Sequence, residues 1–195
     1  MKKSILKAML LLASTAIWIS CSSEDDSPQK ATEYYFSFKL DGQAINYPYQ
    51  PESQINLTGG IYFDGVNQLH IMQLSGSKDI FQPLKNQVVF RLENKEEFEV
   101  GINYSNLPFN GFQVPHNFLF SYNNGDGKSF IATKNSTLAP LWESVEIQFS
   151  EINANGIKGI FSGTALNYDT STGKNVLTGK VEISEGKFYV PRNNE

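Results

Sequence analysis

An antiparallel all-β domain, a β-sandwich or a barrel-like sheet, is the fold class this sequence predicts. Three observations predict it. Apolar residues recur with a period of two and nowhere with a helical period. Phe (14), Tyr (9) and Trp (2) supply 13% of the chain, a share suited to pleated surfaces. Turn dipeptides recur at hairpin spacing between the alternating runs.

Taken in order, Tyr35 to Leu40 puts Phe36, Phe38 and Leu40 on one face and Tyr35, Ser37 and Lys39 on the other. Asp41-Gly42 follows, a pair that tolerates the positive φ of a tight turn. Gln43 to Tyr47 then reads as the return strand. Ile55 to Asp64 and Val66 to Ser75 form a second pair, with Gly59-Gly60 as a bulge or bend. Gln87 to Leu92 is a further strand, extendable through Phe98 to Ile102. Ser105 to Asn117 contains Pro108, Gly111 and Pro115, which argues for an excursion loop.

Phe118 to Tyr122 and Ser129 to Thr133 flank the turn-rich Asn123 to Gly127. Val145, Ile147 and Phe149 alternate with Glu146, Gln148 and Ser150, the clearest half-buried strand in the chain. Ile157 to Tyr168 and Val176 to Ser184 follow, and Glu185-Gly186 leads to Phe188 to Val190. Helix is minor, a turn at Lys78 to Lys85 or at Lys95 to Phe98. The expectation is one domain of roughly ten to twelve short strands.

The N-terminus has a different character. Met-Lys-Lys precedes Ile5 to Ile19, apolar except for Lys7, Ser14 and Thr15, and the stretch ends at Ser20-Cys21. That pattern predicts a signal peptide over residues 1–20. This stretch of 15 residues falls short of the ~20 that a transmembrane helix needs. Cys21 is the only cysteine, so an intrachain disulfide is impossible. Ser22 to Lys30 has no apolar residue but Pro28 and reads, with Cys21, as an acidic flexible tether over 21–30. The domain is then 31–195. Loss of Lys2, Lys3 and Lys7 with the leader takes the formal net charge from −4 to −7. With only Arg91 and Arg192 as arginines, nucleic-acid binding is disfavoured.

The Trp18-Ile19-Ser20-Cys21 run resembles a bacterial lipobox, with Trp18 where leucine usually stands. The likeness implies diacylglycerol on the Cys21 sulfur and acylation of its new amine. Several acyl chains make a durable anchor where one holds only marginally. Ser22-Ser23-Glu24-Asp25-Asp26 looks like the acidic signal that directs such lipoproteins to the cell surface, the periplasmic face being the alternative. Phe36-Ser37-Phe38-Lys39-Leu40-Asp41-Gly42, Gly159-Ile160-Phe161-Ser162-Gly163-Thr164 and Ile183-Ser184-Glu185-Gly186-Lys187-Phe188 resemble uncharacterised Bacteroidetes-type lipoproteins. That likeness implies a fold and an outer-membrane location, and no active site.

Residues able to carry chemistry are few. His70 and His116 stand 46 positions apart and read as a strand-face and a loop residue, so no metal or other cofactor is expected. Ser162 lies on a strand rather than at a nucleophile elbow. Asn123 to Lys128 resembles part of a calcium loop, but its twelfth position is Lys134 and not glutamate. Glu143, Glu146, Glu182 and Glu185 could supply a glycosidase carboxylate pair only if two met in a cleft, and alternation points Glu146 and Glu182 to water. Tyr47, Tyr49, Tyr104, Phe109, Phe112 and Trp142 lie in or beside turns. Tyr104, Phe109, Phe112 and Trp142 are the candidate ligand-binding residues. The expected function is non-enzymatic binding of an extracellular glycan or envelope protein. The alternatives are an assembly role beside an outer-membrane protein and a carboxylate glycosidase.

Overall fold

The computed structural model describes residues 34–108, 111–134 and 143–193. Eleven strands and no helix occur among the described residues. They are β1 (Tyr35–Leu40), β2 (Gln43–Pro48), β3 (Leu57–Asp64), β4 (Leu69–Ser77), β5 (Gln87–Asn94), β6 (Asn103–Ser105), β7 (Asn117–Asn123), β8 (Ser129–Thr133), β9 (Val145–Ile152), β10 (Gly156–Asp169) and β11 (Val176–Pro191). The order is β2-β1-β11-β10-β8-β7-β5-β4-β3, and β9 and β6 branch from the first half of β10. Every strand pairing is antiparallel. An isolated parallel bridge from Gly59 to Arg192 brings β3 back to the end of β11, so the sheet is nearly a closed barrel. The all-β expectation holds, in its barrel-like form.

The alternation supplies the barrel's interior. Phe36, Phe90, Phe120, Phe161 and Phe188 point inward from β1, β5, β7, β10 and β11 into one buried cluster. Phe161 reaches across the interior, its ring centroid 5.2 Å from Phe90 and 5.4 Å from Phe36. Edge-to-face contacts of this kind add about 1 kcal/mol each beyond area burial. The glycines around Phe161 have a steric cause. Gly159 faces Phe188 across the β10–β11 pair, and Gly186 faces Phe161. Each ring covers the glycine opposite. A Cβ on Gly159 would lie 2.3 Å from the Gln148 carbonyl oxygen, and one on Gly186 2.4 Å from that of Phe161.

Two buried asparagines bind the seams where strands part. Asn56 donates from Nδ2 to the Pro48 and Ser77 carbonyls, and its Oδ1 accepts from the Gln50 N–H. It thereby joins the ends of β2 and β4. Asn106 donates to the Glu143 and Thr133 carbonyls and accepts from the Val145 N–H at 2.9 Å.

Three local expectations are corrected. Gly59 and Gly60 keep regular register in β3, and Gly59 marks close approach to Val190 and Ile157 rather than a bulge. Residues 95–102 do not prolong β5, because Phe98 turns into the core beside Tyr104. Glu185-Gly186 does not end a strand, since β11 runs unbroken from Val176 to Pro191.

Candidate functional site

Where β9 and β6 branch away, the outer face of the sheet forms an open groove of about 580 Å³. Sheet register builds its floor. Asn103 of β6 pairs with Gln148 of β9, Gln148 with Ile160 of β10, and Ile160 with Lys187 of β11. The next row carries Glu146 beside Ser162, whose Oγ donates to Glu146 Oε1 at 2.7 Å. Phe112 overhangs the row from the 106–116 segment, close to the Tyr104–Gln113 bridge. The groove therefore offers two apolar surfaces, Phe112 and Ile160, among amide, hydroxyl, carboxylate and ammonium groups.

A β-bulge brings the last carboxylate in. The β10–β11 register slips between Phe161 and Gly163, and β1–β11 slips at the same level. Two residues of β11 then oppose one of β10, as a bulge requires. Glu185 takes the left-handed conformation, φ +52°, and turns outward beside Lys187. Its carboxylate accepts from Lys39 Nζ at 2.6 Å. That hydrogen bond and the lysine charge hold the Glu185 carboxyl below the usual glutamate range.

The candidate aromatics separate. Tyr104 is 1% exposed, its ring packed on Phe98 and Phe149 and its hydroxyl accepting from the Glu99 N–H at 2.9 Å. Burial pushes its phenol up. Pairing of β6 with β9 turns this side chain inward, so it presents no ring to a ligand. Phe112 lies in the groove, half-buried. Phe109, Trp142 and Cys21 lie outside the described residues. Tyr47 is buried in the core, and Tyr49 packs edge-on against Tyr34.

Of the four glutamates, Glu146 and Glu185 line the groove together. Glu146 is thus half-buried against Ser162 rather than freely solvated. Glu143 pairs with Lys180 at 2.8 Å, and Glu182 is exposed. His70 stacks at an angle on Phe63 on the strand face, and His116 is exposed in its loop.

Asn103, Gln148, Ile160 and Lys187 are groove residues that the sequence reading did not single out. One signal was available. In β10, Ile157, Gly159 and Phe161 face inward, so Ile160 shares the outer face with Lys158 and Ser162. A lone apolar residue on a wet face is common, so this signal by itself does not mark a site. Comparison with known proteins brings no relative to bear on the groove: no family model, no curated protein and no solved structure matches the chain.

Proposed function

We propose that this chain is a lipid-anchored cell-surface protein, held through Cys21, whose barrel-like domain binds an extracellular glycan in the groove between β6 and β11. The carrying observation is the mixed floor, with Phe112 and Ile160 set among Asn103, Gln148, Glu146, Ser162 and Lys187. A sugar ring has an apolar face and a rim of hydroxyls. It is matched by an aromatic or aliphatic surface ringed by amides and charges. The groove is open along the sheet, which suits an extended saccharide. An acidic chain with only two arginines suits a neutral polymer better than nucleic acid.

The test is a glycan array probed with the chain from Cys21 onward, followed by titration of any hit. Phe112→Ala and Ile160→Ser should each weaken binding about tenfold, a little over 1 kcal/mol. Unchanged affinity in both variants removes the groove from the reading. Capture of an envelope protein with no glycan bound would support the assembly role instead.

A glycosidase is the second reading, favoured by the presence of Glu146 and Glu185 in one groove. Such chemistry needs one carboxyl held protonated. Lys39 pulls Glu185 the opposite way, and Glu146 is already accepting from Ser162. This weighs toward binding. Release of reducing sugar that disappears in Glu146→Gln would reverse that weighting.

A further inference from the structure

Nine residues, 78–86, connect β4 to β5, and they carry the most exposed apolar group of side chains near the start of the domain. Phe81 is 77% exposed, Leu84 66% and Ile80 42%. Ile55, 62% exposed, lies on the neighbouring 49–56 loop. The backbone that carries them is tied down. Asp79 Oδ1 accepts from the Phe81 N–H and Oδ2 from Gln82 Nε2. Gln54 ties the two loops, its Oε1 accepting from the Ile80 N–H and its Nε2 donating to the Lys78 carbonyl. The Lys78 N–H closes the base on the Asn86 carbonyl at 3.0 Å. These bonds hold the loop's backbone by polar side chains and its own base, and the apolar side chains remain exposed. Leu84 sits at φ +64°, a conformation leucine rarely adopts.

Two further observations say what covers them. The described domain begins at Tyr34, whose carbonyl accepts from the Tyr49 N–H, and Gln50 then accepts from Gln54 at 2.8 Å. The segment from Cys21 thus joins the described residues beside these loops. Twelve residues, 22–33, separate Cys21 from Tyr34, at most about 45 Å of chain. Charge is the second. Within the 78–86 loop Lys78 and Lys85 outnumber Asp79, on a chain that carries −7 beyond the leader. The loop itself is therefore net positive, and Lys78 and Lys85 flank the apolar tip where phosphates would lie.

We propose that the 78–86 loop, with Ile55 beside it, is a membrane-contact element: Phe81 and Leu84 enter the headgroup–acyl boundary of the bilayer to which the chain is tethered. The lipid anchor supplies local concentration, and the loop supplies orientation, turning the β3–β4 hairpin tip away from the bilayer. This rests on the tethered reading of Cys21.

The test supplies the tether chemically. The chain from Cys21 onward is coupled through its single thiol to maleimide lipid in vesicles of phosphatidylethanolamine and phosphatidylglycerol with brominated acyl chains. Phe81→Trp should lose about half of its added emission to bromine, as a ring seated ~5–10 Å deep would, and its spectrum should shift to the blue. Val66→Trp is the control, because Val66 is 91% exposed at the far end of the β3–β4 ladder. Its emission should match that in unbrominated vesicles. Unquenched Phe81→Trp, or equal quenching at both positions, overturns the proposal. A blue shift without quenching that fades as the coupled protein is diluted assigns the loop to a second copy instead. Absence of acyl chains on the natural Cys21 would sink the anchor alone, since coupling here does not depend on it.

Discussion

The 78–86 loop and the 103–113 segment are alike in composition and opposite in fate. Each carries proline and aromatic or aliphatic residues between strands. In 103–113 the backbone is recruited into the sheet: β6 pairs with β9, the Ser105 and Gln113 N–H groups close a local bridge, and Tyr104 is drawn into the core. In 78–86 the Ile80 and Phe81 N–H groups find the Gln54 and Asp79 side chains rather than a strand, and Phe81 and Leu84 stay in solvent. Where a segment's N–H and C=O groups find their partners decides which way its side chains face.

The sharpest way to break the contrast is Tyr104→Ala. Emptying a fully buried aromatic site should cost about 3–5 kcal/mol in urea unfolding, and a value under 1 kcal/mol would mean that Tyr104 is not a core residue. Asn106→Ala should cost about 2–3 kcal/mol, since the Val145 N–H and two carbonyls lose their partner in a buried seam. Phe112→Ala should leave the unfolding midpoint nearly unchanged while lowering glycan affinity as described above. Phe81→Ser should change stability by no more than about 0.5 kcal/mol, and a larger loss would mean that the loop packs on the domain.

The smallest effect concerns pH. The folded domain holds the Glu185 carboxyl below its usual range through Lys39. Any stability from that pair is complete above the ordinary glutamate range and disappears as pH falls through the lowered folded value. The difference in melting temperature between the native chain and Lys39→Met should therefore be present at neutral pH and vanish in acid. A difference that persists in acid would show that Lys39 acts through its aliphatic stem.

Much of the frame was legible. Tyr35 to Leu40 and Ser129 to Thr133 coincide with β1 and β8, because strict alternation and adjacent turn dipeptides leave one solution. The bulge at Glu185 was not. Glu185-Gly186 reads as a turn until Gly186 is seen opposite Phe161, where only a glycine admits the ring. The groove was legible only in pieces. Phe112 was a candidate by its loop, and Glu146 and Glu185 were candidates by their chemistry. Gln148, Ile160 and Lys187 become neighbours solely through cross-strand register.

By itself the sequence determined the all-β class, the place of most strands and the inward face of those that alternate strictly, such as β1 and β9, because a period of two leaves little freedom about which side is buried. Tertiary structure alone decided that the sheet bends round to meet itself at Gly59 and Arg192, that Tyr104 goes in while Phe81 stays out, and that two distant glutamates share a groove. The physical reason is that pairing partners lie far apart along the chain. Local pattern states which face of a strand is wet, but only register states which wet residues stand side by side.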